Sequence, residues 1–229
     1  MKTLLTGVAV LGLLGFSASN LSAQTDTNIQ VLTVRLTSMK LLPPVTHGNI
    51  TINNATTERI DTKAFLTVIA ASLTNTFPAG AKLGYNSDLE DFVVLDSSGV
   101  VITNVSQGLR DQGGDFFIDD YEGITTARTD NGVRGGDAET EYQPVIVRYD
   151  DGKTTIDGQI HQIIFSGLMV TKSTEKTATG AFTRSFTITG SGASYDQDLG
   201  SGSAADQSES DVISLLKGSI SGASKGTAP

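Results

Sequence analysis

The densest set of hard oxygen ligands in the chain lies between residues 111 and 141. Asp111, Asp115, Asp119, Asp120 and Glu122 come first, and Asp130, Asn131, Asp137, Glu139 and Glu141 follow. Calcium takes about six to eight oxygens from carboxylates and carbonyls, and the pairs Gly113-Gly114 and Gly135-Gly136 would let such a loop wrap an ion. The candidate metal ligands are therefore Asp111, Asp115, Asp119, Asp120, Glu122, Asp130 and Asp137, and calcium is the one cofactor these residues suggest. Their spacing is neither that of an EF-hand nor that of a Gly-rich β-roll nonapeptide. A solvated acidic loop that merely confers solubility accounts for the same residues.

Nucleophilic chemistry finds little support. Only two histidines are present, His47 in a polar loop and His161 beside apolar neighbours, where it is expected on the polar face of a strand. There is no Gly-x-Ser-x-Gly elbow. Ser-x-x-Lys occurs twice, at Ser173 to Lys176 and Ser214 to Lys217, without the companion Ser-Asp-Asn and Lys-Thr-Gly motifs of penicillin-binding acyl-enzymes. Phosphate loops, dinucleotide fingerprints and His-Glu-x-x-His helices are missing too. Zinc is disfavoured with no Cys and two distant His. A glycosidase would need paired carboxylates across a cleft, and the aromatic platforms usual for sugars are reduced here by the lack of Trp. A hydrolase using His161 with acids distant in sequence remains an alternative.

Export follows from the first 23 residues. Lys2, an apolar run from Leu4 to Phe16 and the small-residue stretch ending Leu21-Ser22-Ala23 have the layout of a secretory signal peptide, with cleavage near Ala23. The apolar run is too short for the roughly 20 residues that span a bilayer, and no later segment approaches that length. With Cys 0, neither a disulfide framework nor a lipid-attachment cysteine supports the exported chain. Sequons at Asn49, Asn54 and Asn104 matter only in a host that glycosylates. The formal charge of −9 leaves no basic footprint for nucleic acid.

Gly, Ser and Thr make up a third of the 229 residues, a composition suited to strands and loops. Leu32, Val34 and Leu36 alternate with Thr33, Arg35 and Thr37, which predicts a strand over 29–37, broken by Pro43-Pro44; a short strand at 50–52 follows. Asp61 can cap a helix carrying Phe65, Leu66, Ile69 and Leu73 at three- and four-residue spacing, so one helix is predicted near 61–74, ended by Phe77-Pro78-Ala79-Gly80. Strands are expected at 82–85 and 92–95, the latter joined through Asp96-Ser97-Ser98-Gly99 to 100–105. The stretch 108–141 reads as a long loop system, with an edge strand at most around Phe116 to Ile118. Val145, Val147 and Tyr149 alternate into the turn Asp150-Asp151-Gly152-Lys153, and a long strand is expected over 154–171, then another over 183–189. Residues 196–210 read as a flexible Gly/Ser/Asp linker, 211–221 as a last strand and 222–229 as a disordered tail.

The stretch from Asp61 to Ser106, with Phe-Pro-Ala-Gly-Ala-Lys-Leu and the Asp-Phe-Val-Val-Leu-Asp hairpin, resembles a group of uncharacterised exported β-rich proteins of environmental bacteria. The Gly-Ser-Ile-Ser-Gly ending at 218–222 is similar to theirs as well. The resemblance covers about a third of the chain. It implies a β-rich fold and a secreted, periplasmic or cell-surface location, and carries no activity.

These readings converge on an all-β single domain of sandwich or jelly-roll type over 24–195 plus the last strand, with one helix on an end or open face. The function they favour is that of an exported, non-catalytic surface or extracellular protein, whose partner is another protein, a cell surface or matrix, or a second copy of itself. A calcium-dependent binding module using the acidic loops is the first alternative and a small secreted hydrolase the second. A membrane β-barrel is disfavoured, because aromatics are only 6% of the chain.

Overall fold

The computed structural model describes residues 28–41, 45–47, 49–52, 55–120, 127–130, 136–153, 155, 157–176, 178–196 and 212–227. The region expected as a signal peptide, the Pro43-Pro44 break and residues 197–210 of the expected linker lie outside them. The elements are β1 (Ile29–Leu41), β2 (Val45–His47), β3 (Ile50–Ile52), β4 (Ala55–Asp61), α1 (Thr62–Ser72), β5 (Lys82–Asn86), β6 (Asp91–Leu95) and β7 (Val101–Asn104). After these come α2 (Val105–Arg110), β8 (Asp115–Asp120), β9 (Ala127–Asp130), β10 (Gly136–Asp150), β11 (Gln162–Lys176), β12 (Ala181–Tyr195) and β13 (Val212–Thr227). The protein is all-β in class. Apart from the β2–β3 hairpin, its strands form one curled antiparallel sheet in the order β7-β6-β5-β1-β13-β12-β11-β10-β8, with β4 also on β1 and β9 also on β10. No described helix is long and apolar enough to cross a membrane.

The alternation read from the sequence sets the two faces of this sheet. Leu32, Val34 and Leu36 of β1, Val145, Val147 and Tyr149 of β10, Ile163 and Phe165 of β11, Phe186 and Ile188 of β12 and Leu216 and Ile220 of β13 are all buried on one side. The sheet curls around that side because side chains are missing along one row. Gly167 pairs with Gly190 and Gly190 with Gly218, so three neighbouring strands place glycine at one level, flanked by buried Val145 and Leu36. A Cβ on Gly190 would stand 2.0 Å from the Ser166 carbonyl oxygen, and one on Gly218 2.1 Å from that of Arg35. Neighbouring backbone occupies the space a side chain would need, which is how glycine creases a sheet.

The curl brings the far strands together. Phe92 of β6 stacks on Phe116 of β8 with centroids 3.5 Å apart, and Phe65 of α1 meets Phe116 and Tyr149 edge-on. Beside the stack, the Ser106 hydroxyl of α2 accepts the Phe92 N–H at 2.8 Å and donates to the Phe116 carbonyl at 2.6 Å. One hydroxyl thus joins two strands that share no ladder. Arg110, also on α2, reinforces the seam by bonding Asp91 at 2.9 Å and Asp115 at 3.4 Å.

The expected helix is present as α1. Asp61 is its N-cap, accepting the Ala64 N–H at 2.9 Å, and Phe65 and Ile69 are buried. The hairpin turn is also as expected, since Asp96 accepts the N–H groups of Ser98 and Val100 and Gly99 has φ 92°. Other expectations are corrected. The stretch 108–141 is not one loop system: it holds the end of α2, the edge strand β8, β9 and the first part of β10. The strand expected from 154 begins only at Gln162. The tail expected from 222 is strand as far as Thr227, because its residues pair with β12 throughout and Gly222 and Ala223 also pair with β1. Asp196, expected at the start of a flexible linker, is buried. Two elements are unexpected: β4, where every residue except Ile60 is exposed, and α2, which has only six residues and whose apolar signal is the single buried pair Val105 and Leu109.

Gly190→Ala is expected to lower stability by about 1–3 kcal/mol through overpacking against backbone. The neighbouring exposed Ser191→Ala is expected to stay within about 0.5 kcal/mol of the parent. Urea unfolding of the two variants is the measurement; matching midpoints would show that the crease does not depend on the missing side chain.

Candidate functional site

The acidic residues singled out from the sequence do not converge. Asp111 follows α2 and accepts a hydrogen bond from Gln107 at 2.7 Å. Asp115 faces the Arg110 guanidinium and accepts the N–H of Phe116, so a cation already sits beside it. Asp119 and Asp120 end β8, opposite Ile146 and Val145, and Asp120 accepts from Gln143. Asp130 pairs with Glu139 along β9 and β10, while Asp137 pairs with Glu175 of β11. Glu122 lies outside the described residues. Strand formation is what separates these groups: β8, β9 and β10 lay the acids out in register. Among the described residues no three His, Asp or Glu form a group that would hold a metal ion.

A different cluster lies where β10 turns into β11, and it centres on His161. The imidazole is buried, with Nδ1 at 2.9 Å from Asp151 Oδ2 and Nε2 at 2.9 Å from Asp157 Oδ1. Ionised carboxylates only accept, so a ring that bonds one from each nitrogen must donate twice, which is what an imidazolium does. Burial by itself would lower the His161 pKa, but the hydrogen bonds and charges of Asp151 and Asp157 outweigh it and the value is raised above 6.5. Asp157 is held below its ordinary value, first by the Gln159 N–H and then by His161 and Lys153. Asp151 continues the chain of bonds. It meets the Ser72 hydroxyl of α1 at 3.3 Å, and Ser72 accepts from the Tyr149 hydroxyl. Burial pushes the Tyr149 phenol well up, so it remains a donor.

The backbone explains why these groups meet. Asp151 N–H donates to the His161 carbonyl at 3.0 Å and His161 N–H to that of Tyr195 at 2.9 Å, which pins both ends of the connection. Gln112 donates to the carbonyls of Ser72 and Asp151, both at 3.1 Å, and ties in the loop after α2. Chemically the arrangement resists hydrolytic use. A general base must offer a free ring nitrogen to the nucleophile's proton, and here both nitrogens are engaged. Ser72 reaches a carboxylate rather than the imidazole. The adjacent cavity, lined by Thr67, Ser72, Asp151 and Lys153, measures about 190 Å³, below the roughly 300–1,000 Å³ of ordinary ligand pockets. His161 is therefore buried and doubly paired, not on a polar strand face as expected, and sequence reasoning misses its partners Asp151, Asp157 and Ser72. Asp157, four residues before His161, is the one local hint.

A second concave region lies where the β1 edge divides. β5 pairs with β1 at Ile29 to Val31, and β4 pairs with it from Arg35 onward. Between these, α1 starts, and the Thr62 hydroxyl accepts the Val34 N–H at 2.9 Å in place of a strand partner. Two cavities meet at this fork and share Thr62 and Lys63. One, of about 620 Å³, has walls from Val31, Leu66, Ala70, Phe77, Pro78 and Ala81. The other, of about 430 Å³, runs along Thr33 to Thr37 and Arg59 to Lys63. No motif marks it, because its walls come from elements that only the fold brings together.

The chain matches no family model, no curated protein and no solved structure.

The cluster makes stability depend on pH with a definite sign. A raised His161 pKa contributes stability that is fully present below 6.5 and is lost as pH rises through the folded-state value. A lowered Asp157 pKa contributes stability that is present above 3.8 and is lost as pH falls through the folded-state value. His161→Gln leaves the buried Asp151 with only the half-exposed Lys153 ammonium, 3.9 Å away, and is expected to lose about 2–4 kcal/mol. Urea unfolding from about pH 5 to 9 should show a decline on the alkaline side in the parent and a shallower one in the variant. Parallel profiles would rule out a charged His161.

Proposed function

We propose that the chain is an exported, non-catalytic protein that works by contact, as a surface or extracellular structural protein, and that a second copy of itself is its first partner. Export rests on the layout of residues 1–23. The non-catalytic reading rests on His161, whose nitrogens both serve internal bonds.

The observation that carries the reading is the free edge of β7. It pairs only with β6 among the described residues. Val101 and Ile102 of β7 are 43% and 42% exposed, and Val100, the last turn residue before the strand, is 41% exposed, so an apolar patch lies at this edge. Natural sheets guard such edges with Lys, Pro or charge, and β7 has none of these. The opposite end of the sheet is guarded, since β8 carries Asp115, Asp119 and Asp120. Two chains of charge −9 approach with least repulsion at an uncharged edge. Pairing β7 with its own copy uses that edge on both molecules, closes on a two-fold axis and leaves no free β7 edge to grow a filament.

Sedimentation velocity over a wide concentration range tests this. The chain from Gln24 is expected to pass from monomer to dimer without larger species, and Ile102→Lys to stay monomeric with an unchanged thermal midpoint. A parent that remains monomeric at the highest concentration, or a variant that dimerises equally well, would remove the support for the reading.

A further inference from the structure

We propose that the cleft at the β1 fork binds a free single-chain amphiphile with an anionic carboxylate head, its alkyl chain in the apolar arm and its head in the cationic arm. The site is separate from the β7 edge and does not depend on the chain's self-association. The apolar arm is about 620 Å³, within the roughly 300–1,000 Å³ that small-molecule pockets occupy. Leu66 and Phe77 are only partly buried within it and Val31 is exposed, so apolar wall faces water and an alkyl chain would cover it.

The head is assigned by charge. The neighbouring arm carries Arg35, Arg59 and Lys63, and Lys63 stands at the boundary of the two cavities. Arg35 lies opposite Asp61, and Arg59 opposite Thr37, on β4 and β1. None of the three cations has an ion pair within 4.0 Å among the described residues. The one acid lining that arm, Asp61, has its Oδ1 engaged as the cap of α1. At the other end of the apolar arm, Lys82 donates to the Ser97 carbonyl at 3.0 Å, which leaves Lys63 as the cation free to meet a head group. In a chain of net charge −9, three cations beside one apolar groove form a local anion site on a surface that otherwise repels anions. An anionic bilayer would have to meet that acidic surface broadly, whereas a single carboxylate needs only the cleft.

The test uses decanoate, with 1-decanol and acetate as the tail alone and the head alone, followed by titration calorimetry of the chain from Gln24. The parent contains no Trp, so Ala79→Trp, at an exposed wall residue, adds an independent fluorescence reporter. Decanoate is expected to bind saturably at one site and shift the emission of the introduced indole to the blue, with decanol and acetate each weaker by about tenfold or more. Lys63→Glu and Arg59→Glu, both at exposed positions, are expected to weaken decanoate by about tenfold while leaving decanol binding and the thermal midpoint unchanged. No saturable decanoate binding by the folded parent, or binding indifferent to both charge reversals, would overturn the proposal. So would binding to anionic phospholipid vesicles without binding to free decanoate.

Discussion

The fold depends on three glycines that stand level on adjacent strands. β10, β11 and β12 each run for 15 residues, well beyond the roughly five or six of an ordinary strand. Strands of that length paired in register would give a broad twisted sheet with one apolar face open to water. Gly167, Gly190 and Gly218 let the sheet crease along one line, because each lacks the Cβ that would strike the neighbouring backbone. Glycine within a strand is unfavourable by roughly 0.5–1 kcal/mol relative to alanine. The aromatic cluster of Phe65, Phe92, Phe116 and Tyr149 offsets this, and it joins Phe92 of β6 to residues of β8 and β10, which lie far from β6 in the strand order.

Closure of the curl uses polar groups sparingly and at two distinct places. At the β6–β8 seam a single Ser106 hydroxyl serves a donor and an acceptor that would otherwise lack a ladder partner. Orphaned backbone groups in a buried seam would be costly, so the short helix α2 is required there to present that hydroxyl. At the β10–β11 connection the chain instead buries charge. A buried carboxylate needs a cation, and His161 provides one while its second nitrogen reaches the partly exposed Asp157. This longer connection replaces a tight hairpin, and it also holds the end of α1 through Ser72. Both closures grip a helix terminus, which fixes α1 and α2 against the curled face.

Residues with a local physical signature are legible in the sequence, and those whose role is set by pairing are not. Alternation along β1, the Asp61 cap with Phe65 and Ile69, and the Asp96 turn all act within a few residues, and the structure has each of them where the sequence places it. β4 escapes notice because Thr56, Thr57, Glu58 and Arg59 gain strand geometry only from lying beside β1. The glycines of β12 and β13 look like low complexity, whereas their meaning is cross-strand. The same limit applies to the site. The acids from Asp111 to Asp137 are close in sequence, but β8, β9 and β10 spread them along separate ladders. Ser72, Asp151 and His161 are dispersed in sequence, and the fold brings them within hydrogen-bond reach. Proximity along the chain misleads in the first case and is absent in the second.

The fork in β1 follows from the same topology. One edge of a strand can hold two partners only if they occupy different stretches, and β5 takes Ile29 to Val31 while β4 takes Arg35 to Leu41. The intervening backbone needs a substitute acceptor, and Thr62 supplies it from the first turn of α1. A helix is wider than a strand, about 10 Å across against the roughly 4.8 Å spacing of a ladder. It cannot fill a strand's place, so its entry wedges the neighbours apart and leaves space on either side. The two cavities are that space, and Lys63 stands where they meet because it directly follows the residue that caps the gap. The cleft is thus a geometric consequence of ending β4 with a capped helix at the position where β1 loses its ladder.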